Sequence, residues 1–321
     1  MNQILYLIAS HTNPDQVLRL VQTIQANSAN AYVLIHHDVA GSTLDDSVFK
    51  AMERVHFLER SIPVQWGEFS LVEMELYCID WLFANSIQFD WLIFLSGQDY
   101  PIQPFSDIEQ FLSTTEYDGF MEYFLATEPP QASTQRRLRW KHDTGFKRFF
   151  YHYFKLPLPS SLNSLLFWLG RINPLQFLFT LVVDRHGAKL GVRCKTPFND
   201  TFQCYAGSQW HTLSYHCIKY IHEFVQQYPA IVNHYRHTLI PDESFFQTIL
   251  LNQPSLKILN NNKRYIDWNG SKPETLKSQD FDRLIDSDCH FARKLDLTAD
   301  TQLFDRLDQH IRNVSPTLIN V

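Results

Sequence analysis

The residues best suited to chemistry follow three apolar runs that have the pattern of buried strands. Ser10 and His11 follow the first run, His36 to Asp38 follow the second, and Ser96 to Asp99 follow the third. Ligands of open α/β sheets bind beyond the carboxyl ends of the strands, so these polar residues are candidates for one site. Asp99 is costly to bury without a partner. It is therefore part of a plain turn, a metal ligand, or the floor of a binding site.

A second candidate lies in the segment Pro241–Glu243, which opens a predicted helix. A general base for a hydroxyl group needs a carboxylate whose pKa is raised by partial burial. Phe245 and Phe246 give Glu243 an apolar neighbourhood of that kind. The alternative is an ordinary first-turn carboxylate stabilised by the helix dipole. The residues alone favour this alternative.

Metal-ligating and cofactor motifs are weak or absent. The sequence has no G-x-G-x-x-G, Walker A, G-x-S-x-G or H-E-x-x-H motif, so dinucleotide, P-loop, hydrolase and zinc-protease chemistry lose support. The D-x-D at 286–288 follows a predicted helix, and His36 and His37 lack a third ligand. The 5 cysteines form no C-x-x-C pair. We predict neither a metal site nor a disulfide framework, and we expect reduced thiols.

Composition limits the class of protein. The 321 residues are 45% hydrophobic and 19% charged, which suits one large α/β domain or two small ones. The net charge of −6 makes nucleic acid an improbable partner. The first ten residues lack a basic region and have the pattern of a strand rather than of a signal peptide. No apolar run is long enough to span a membrane, so we expect a cytoplasmic protein.

Strand and helix patterns alternate along the chain and must position these candidates. We predict strands at 4–9, 31–35, 91–95 and 119–124, and helices at 213–227, 241–250 and 301–312. Ser70 with Glu73, and Ser106 with Glu109, have the spacing of capping boxes at two further helix starts. The strand–helix–strand opening predicts an α/β fold with a parallel sheet.

The pattern weakens between residues 126 and 200, which we interpret as an insertion or lid. A basic aromatic patch occupies 136–142, and a broken apolar stretch covers 162–183. One interpretation of the apolar stretch is a lid helix packed on the core, which we favour. The other is a peripheral membrane contact through residues 160–185, near a lipid-linked acceptor.

Five segments in order resemble one family. They are V-Q-W-G-E-F-S-L-V (64–72), F-L-S-G-Q-D-Y-P-I (94–102), I-P-D-E-S-F-F-Q-T-I-L (240–250), R-Y-I-D-W (264–268) and F-A-R-K-L-D (291–296). Each segment is short, but together they are similar to the core-2/I-branching glycosyltransferases, glycosyltransferase family 14, which also includes peptide O-xylosyltransferases. The similarity runs from residue 4 to about 296, with a gap at roughly 145–195.

The resemblance implies a GT-A-like fold, α/β, with a Rossmann-like and mostly parallel central sheet flanked by helices and a helical insertion. It implies a single domain over 1–321, with a nucleotide-sugar half at 1–125, the variable insertion at 126–200, and an acceptor and catalytic half at 201–321. It also implies inverting transfer from a UDP-sugar, most often UDP-N-acetylglucosamine, to a glycan or lipid-linked glycan. No cofactor is expected, because the best-studied branch of the family works without a metal.

The resemblance also assigns roles to residues. Glu243 falls on the catalytic base. The remaining assignments place donor-binding residues at Ile8, Asp38, Trp66, Lys272, Arg293 and Lys294, and acceptor-binding residues at Glu122, Arg136, Arg139 and Trp268. His37 departs from the family pattern I-H-V-D. Arg293 and Lys294 are adjacent, so their side chains should diverge unless the backbone bends.

Alternatives remain open for several of these residues. Trp268 is either a sugar platform or part of the core, and the two basic acceptor residues are either ligands of an anionic acceptor or solvated surface. Asp99 has no partner carboxylate at D-x-D spacing, so we expect it to accept hydrogen bonds and shape the pocket. UDP-xylose is the second candidate donor. The rival hypothesis is a carbohydrate- or nucleotide-binding protein without catalysis. The missing leader and anchor indicate a bacterial member, which the resemblance associates with polysaccharide biosynthesis.

Overall fold

The computed structural model describes residues 3–128, 140, 143–157, 177–184, 187–270 and 272–313. The strands, in chain order, are β1 (Ile4–Ser10), β2 (Tyr32–His37), β3 (Val55–Phe57), β4 (Trp91–Ser96), β5 (Tyr100–Pro101), β6 (Gly119–Leu125), β7 (Tyr151–Lys155), β8 (Phe179–Asp184), β9 (Gly187–Arg193), β10 (Tyr205–Ser214), β11 (Ile258–Asn260), β12 (Arg264–Ile266), β13 (Trp268–Asn269), β14 (Lys272–Pro273) and β15 (Phe291–Arg293). The helices are α1 (Pro14–Asn27), α2 (Ser47–Lys50), α3 (Ser70–Ala84), α4 (Phe105–Thr114), α5 (Thr144–Phe149), α6 (Tyr215–Gln227), α7 (Pro229–Tyr235), α8 (Phe245–Leu251), α9 (Phe281–Ile285) and α10 (Thr301–Asn313).

A seven-stranded sheet forms the centre, in the order β11-β6-β10-β4-β1-β2-β3. Strands β3, β2, β1 and β4 run parallel to one another, β10 runs antiparallel between β4 and β6, and β11 pairs parallel to β6. The predicted α/β class and mostly parallel sheet are therefore confirmed. Since β10 and β11 come from the second half of the chain, both predicted halves contribute to one sheet.

Helices cover both faces of this sheet, so its central strands are buried on both sides. Alternate residues of β1 enter different cores: Leu5 and Leu7 face the core beneath α3 and α6, whereas Tyr6 and Ile8 face the core beneath α1 and α10. Full burial of one such aliphatic side chain stabilises the fold by about 1.5–3 kcal/mol. Burial on both faces explains why these strands appear in the sequence as continuous apolar runs.

The two predicted capping boxes are wrong, although α3 does begin at Ser70. The Ser70 hydroxyl accepts a hydrogen bond from the backbone N–H of Gln65 (2.8 Å) instead of capping the helix. Glu109 accepts from the hydroxyl of Ser28 (2.5 Å), and α4 begins at Phe105 without a side-chain cap. Both side chains form hydrogen bonds with residues outside their helices instead of capping them.

The described part of the insertion contains β-structure as well as the helical structure that was predicted. Its described residues contain the short helix α5 and a three-stranded antiparallel sheet in the order β7-β9-β8. The second part of the apolar stretch, predicted as a lid helix, forms β8. Residues 158–176 lie outside the described part of the chain, so membrane contact through 160–185 stays a prediction. Among the described residues, no helix is both long enough and apolar enough to span a bilayer.

Two small sheets carry the C-terminal motifs to the central sheet. Strand β15 pairs parallel to β12 and antiparallel to β5, which directly follows the turn at Asp99. The hairpin β13–β14 pairs Asn269 with Lys272. All 5 cysteines are free thiols, and the 286–288 carboxylates directly follow α9, as predicted.

Candidate active site

The carboxyl ends of β1, β2 and β4 meet at one edge of the sheet, as predicted. The Ser10 hydroxyl lies 2.9 Å from Nδ1 of His37, and the backbone N–H of Asp38 donates to the Ser10 carbonyl at 2.8 Å. Gly97 is required here, since a Cβ atom on it would lie 2.9 Å from a methyl group of Val17. The three polar strand ends therefore form one continuous floor.

Asp38 and His36 anchor the loop 61–69 to this edge. Both oxygens of the Asp38 carboxylate accept backbone hydrogen bonds, Oδ1 from Ala40 (3.0 Å) and Oδ2 from Val64 (2.8 Å). Nε2 of His36 accepts from the backbone N–H of Ile62 at 2.9 Å. Burial lowers the pKa of His36 to about 4, so the imidazole is neutral and can accept this bond at pH 7.

Ile8, predicted to bind the donor, needs a correction. Its side chain is 0% exposed, in the core beneath α1, and its backbone pairs with β2 on one side and β4 on the other. Ile8 lies two residues before the end of β1, so its side chain does not reach the sheet edge. Ser10 is the residue of β1 that reaches it.

Asp99 is fully buried and its carboxylate is satisfied on both sides. Oδ2 accepts a hydrogen bond from the backbone N–H of Ser96, and Oδ1 lies 3.2 Å from NH1 of Arg293. The Arg293 guanidinium also stacks over the ring of Trp210 at 3.9 Å. Arg293, predicted to bind the donor, is thus 8% exposed and committed to Asp99 and Trp210. We correct its role to supporting the floor of the site.

Lys294 is the next candidate for a positive charge that binds the donor. Its ammonium group makes no hydrogen bond or ion pair within the described residues. Burial lowers its pKa, as does the charge of Arg293, while Asp99 acts in the opposite direction. Burial also lowers the pKa of His11. The charge of Asp38 opposes this shift, and the charge of Lys294 adds to it. Lys294 therefore lies within electrostatic range of His11 at the sheet edge.

Backbone hydrogen bonds join the segment of Lys294 to the chain at both ends of the β13–β14 hairpin, which carries Lys272 and Trp268. The backbone N–H of Glu274 donates to the Asp267 carbonyl at 2.9 Å, and that of Lys294 donates to the Glu274 carbonyl at 3.3 Å. Lys272 is exposed and Trp268 is half-buried. The three residues thus belong to neighbouring segments, as the donor and acceptor assignments require.

Glu243 ends a single 3₁₀ turn, Pro241–Glu243, rather than lying in a helix as predicted. Its Oε2 atom lies 2.6 Å from NH1 of Arg148, and its side chain is 23% exposed. Ile240, the residue before this turn, donates its backbone N–H to the carbonyl of Gly67 at 2.9 Å. Trp66, 56% exposed, lies directly before that glycine. Glu243 is thus partly accessible and held by a cation from the insertion.

Asp242 and Arg148 are functional candidates that the sequence did not reveal. Asp242 is buried, and its Oδ1 atom has no hydrogen-bond partner within the described part of the chain. Burial, followed by the charge of Glu243, raises its pKa to about 7. The P-D-E motif draws attention to this pair, but burial decides which carboxylate faces solvent. Arg148 lies where the sequence pattern is weak, and no local signal marks it.

The acceptor-side prediction Glu122 lies in β6, opposite an irregular part of β10. The pairing shifts between Gly207 and His211, so that β10 has extra residues opposite Glu122. Gln247 of α8 donates a hydrogen bond to the carbonyl of Ser208 at 2.6 Å in this bulge. Bulges often redirect side chains beside active sites. The bulge therefore connects Glu122 to the segment that carries Glu243.

Two assignments and the metal question complete the site. Arg136 and Arg139 lie outside the described residues. Of the residues that are described, only His152, Cys194 and His234 bring three possible metal ligands together, on the insertion sheet and α7. The expectation that the donor is bound without a metal stays a prediction.

The arrangement combines a partly exposed carboxylate with separate cations. The loop 61–69 spans the two parts, because it is bonded to His36 and Asp38 at one end and to Ile240 at the other. A carboxylate of this kind can take a proton from a hydroxyl group, and Lys294 can stabilise a developing negative charge.

Comparison with known proteins gives a family for this arrangement. A family model described as Core-2/I-Branching enzyme matches residues 4–285. Xylosyltransferase 2 of Canis lupus familiaris is 25% identical over 339 residues, which cover 98% of this chain and 34% of the relative. Beta-glucuronosyltransferase GlcAT14A of Arabidopsis thaliana is 21% identical over 331 residues, covering 98% and 65%. The chain thus spans about a third of the xylosyltransferases that it matches.

Solved structures of glycosyltransferases also match over most of the chain, at low similarity. One is a glycosyltransferase involved in the glycosylation of the major capsid of PBCV-1, with a TM-score of 0.35 and 11% identity, covering 96% of this chain and 98% of that chain. A likeness this weak adds nothing to the assignment, which rests on the family model. Because that model covers most of the sequence, the chain belongs to the core-2/I-branching enzyme family of glycosyltransferases, glycosyltransferase family 14.

Proposed function

We propose that the chain catalyses inverting transfer of a sugar from a UDP-sugar to a hydroxyl group of an acceptor glycan, with Glu243 as the general base. The observation that carries the proposal is the setting of Glu243, whose side chain is 23% exposed and held by Arg148 at 2.6 Å. Glu243 takes the proton of the acceptor hydroxyl, and the oxygen attacks the anomeric carbon. The bond from that carbon to the diphosphate breaks on the opposite face, which inverts the configuration.

The departing UDP needs positive charge. Lys294 is the first candidate, because its ammonium group makes no ion pair within the described residues and its charge acts on His11 at the sheet edge. Lys272, exposed on the adjacent hairpin, is the second. Fixed cations of this kind can replace a divalent metal as the electrostatic stabiliser. We therefore propose that transfer does not need a metal on the diphosphate.

The identity of the donor stays open between two sugars. The family resemblance favours UDP-N-acetylglucosamine, whereas the animal relatives are named xylosyltransferases and the plant relatives glucuronosyltransferases. We therefore place UDP-xylose beside UDP-N-acetylglucosamine as a donor to test. The acceptor glycan, lipid-linked or free, and a cytoplasmic location are further parts of the proposal.

The test compares Glu243→Gln with wild type in transfer and donor-hydrolysis assays with UDP-N-acetylglucosamine, UDP-xylose and UDP-glucuronate, in EDTA. Loss of a general base should lower kcat by about 10²–10⁴-fold and leave the Kd for UDP nearly unchanged. Glu73→Gln is the matched control, since Glu73 also pairs with an arginine, Arg236, at 3.2 Å on the surface. It should retain wild-type kcat.

The other outcomes distinguish the alternatives. Equal activity of wild type and Glu243→Gln would refute the base, and a selective loss in Asp242→Asn would move that role to Asp242. Tight binding of UDP without transfer from any donor would favour the non-catalytic binding protein. Activity that EDTA abolishes and that Mg²⁺ or Mn²⁺ restores would contradict metal-independent transfer.

A further inference from the structure

Three side chains of ligand type converge where the insertion meets the main body. His152 lies in β7, Cys194 directly follows β9, and His234 lies in α7. One ligand atom from each lies within 4.8 Å of the others, and Nε2 of His152 is 3.0 Å from Nδ1 of His234. Nitrogen and sulfur ligands around a tetrahedral zinc ion are about 3.3–3.8 Å apart. Small side-chain adjustments therefore suffice to enclose an ion.

The orientation of His234 is already that of a metal ligand. Its Nε2 atom lies 2.9 Å from the carbonyl of Phe149, and since a carbonyl can only accept, Nε2 carries the proton. The lone pair is therefore on Nδ1, which faces His152. A ring nitrogen that donates to a backbone carbonyl while the other faces the metal is the usual arrangement of metal-bound histidines.

We propose that His152, Cys194 and His234 bind one zinc ion, with water as the fourth ligand. Two imidazoles and one thiolate suit Zn²⁺ and do not suit Mg²⁺ or Ca²⁺, which prefer oxygen ligands. On binding, the Cys194 thiol releases its proton to solvent, and the proton on Nε2 of His152 moves to Nδ1. No electron transfer takes place. Cys194 and His152 are half-buried, so solvent and the ion can reach the site.

The ion would fasten the insertion sheet to α7, beside the segment that leads to Glu243. Two backbone hydrogen bonds already make this connection, from Tyr153 to the His237 carbonyl (2.8 Å) and from Leu239 to the Arg148 carbonyl (3.1 Å). A zinc ion would strengthen the same junction and hold Arg148 in place against Glu243. The inference does not depend on the proposed reaction, because the three ligands take no part in it.

The test uses the untagged chain, because a polyhistidine tag would bind the ion itself. Wild type should bind one Zn²⁺ per chain, and its Tm should rise by about 5 °C at a hundredfold excess over the Kd. Co²⁺ in place of Zn²⁺ should give a thiolate charge-transfer band in the near ultraviolet, which needs no variant to interpret. Mg²⁺ at the same concentration should leave Tm unchanged.

Cys194→Ser and His152→Asn should each weaken zinc binding by at least about tenfold. These half-buried positions are preferred to His234, whose replacement risks misfolding, and circular dichroism verifies the fold. Cys289→Ser and His222→Asn, elsewhere on the chain, are the matched controls and should bind zinc as wild type does. The site is overturned if wild type binds no stoichiometric zinc, if bound Co²⁺ shows no thiolate band, or if both ligand variants retain wild-type affinity.

Discussion

At the scale of single residues, the buried pair of Asp99 and Arg293 determines the floor of the site. Asp99 ends the third apolar run on a charge, and the structure satisfies that charge with a backbone N–H and with a guanidinium at 3.2 Å. Burial lowers the pKa of Arg293, and Asp99 opposes this shift by stabilising the charged guanidinium. The aspartate is therefore part of the floor and holds the arginine beneath the turn.

We expect Asp99→Ala to reduce the free energy of unfolding by about 3–5 kcal/mol, because it leaves the Arg293 charge buried without its partner. Urea denaturation at pH 7.5 measures this change. The double variant with Arg293→Met should recover part of the loss, since the Arg293 charge is removed together with its partner. Glu116→Ala, which breaks the exposed Lys257–Glu116 pair, is the control and should change the stability by less than about 1 kcal/mol.

A loss of less than about 1 kcal/mol in Asp99→Ala would contradict the buried pair. A double variant less stable than Asp99→Ala would show that the arginine has other essential partners. The sequence could not have distinguished Arg293 from its neighbour, because two adjacent basic residues look equivalent in a motif. The difference is tertiary: the Arg293 guanidinium contacts Asp99 and Trp210, which only the packing of β15 against the turn after β4 brings together.

At the scale of elements, the bulge in β10 depends on a single glycine. A Cβ atom on Gly207 would lie 1.7 Å from the carbonyl oxygen of Glu122 in β6. Backbone cannot move aside as a flexible side chain can, so only glycine permits the two strands to approach here. The bulge in turn supports α8 through the bond from Gln247 to Ser208.

We expect Gly207→Ala to destabilise the protein by about 1–3 kcal/mol, because the added methyl group forces β6 and β10 apart. Thermal and urea denaturation measure the loss. Gly270→Asn is the control: Gly270 has φ of 61° with no atom within 4 Å of an added Cβ, and asparagine tolerates that conformation. It should stay within about 0.5 kcal/mol of wild type. Equal stability of Gly207→Ala and wild type would rule out the close approach.

The strands and helices with a strong pattern were predictable, and those with competing tertiary contacts were not. Strands β1, β2, β4 and β6 lie within one or two residues of their predicted bounds, because apolar runs bounded by polar residues fix them locally. The capping boxes failed because Ser70 and Glu109 have better partners elsewhere. The described end of the apolar stretch forms a strand rather than the predicted helix, because such an apolar segment fits either element and only pairing with β9 selects the strand.

At the scale of the whole molecule, the site is assembled from segments that are distant in the sequence. Arg148 from the insertion meets Glu243, and β15 near the C-terminus meets the turn after β4. No spacing rule predicts such contacts, because they depend on how the sheets and the insertion pack. The family resemblance proposes Glu243 and Lys294 as site residues without them, but it could not supply Arg148, which lies in the gap of the matching segments.

The buried histidines make the stability of the whole fold depend on pH. Burial lowers the pKa of His36 to about 4 and that of His290 to about 3, both below the unfolded value near 6.5. Between these values the unfolded chain binds protons that the folded chain does not, so stability is fully present above pH 6.5 and decreases as the pH falls. Asp242 acts in the opposite direction, because its pKa is raised to about 7.

Between pH 7.5 and pH 5.0, we expect His36 alone to reduce the free energy of unfolding by about 2 kcal/mol. Protonation also removes the acceptor for the Ile62 N–H, which holds the loop 61–69 to the sheet edge. His36→Gln keeps an acceptor without titrating, so its loss over this range should be smaller than that of wild type by the same amount. Urea denaturation at both pH values and constant ionic strength gives the comparison. His216→Gln, at an exposed position of α6, should lose as much as wild type; an equal loss in His36→Gln would show that His36 is not the titrating group.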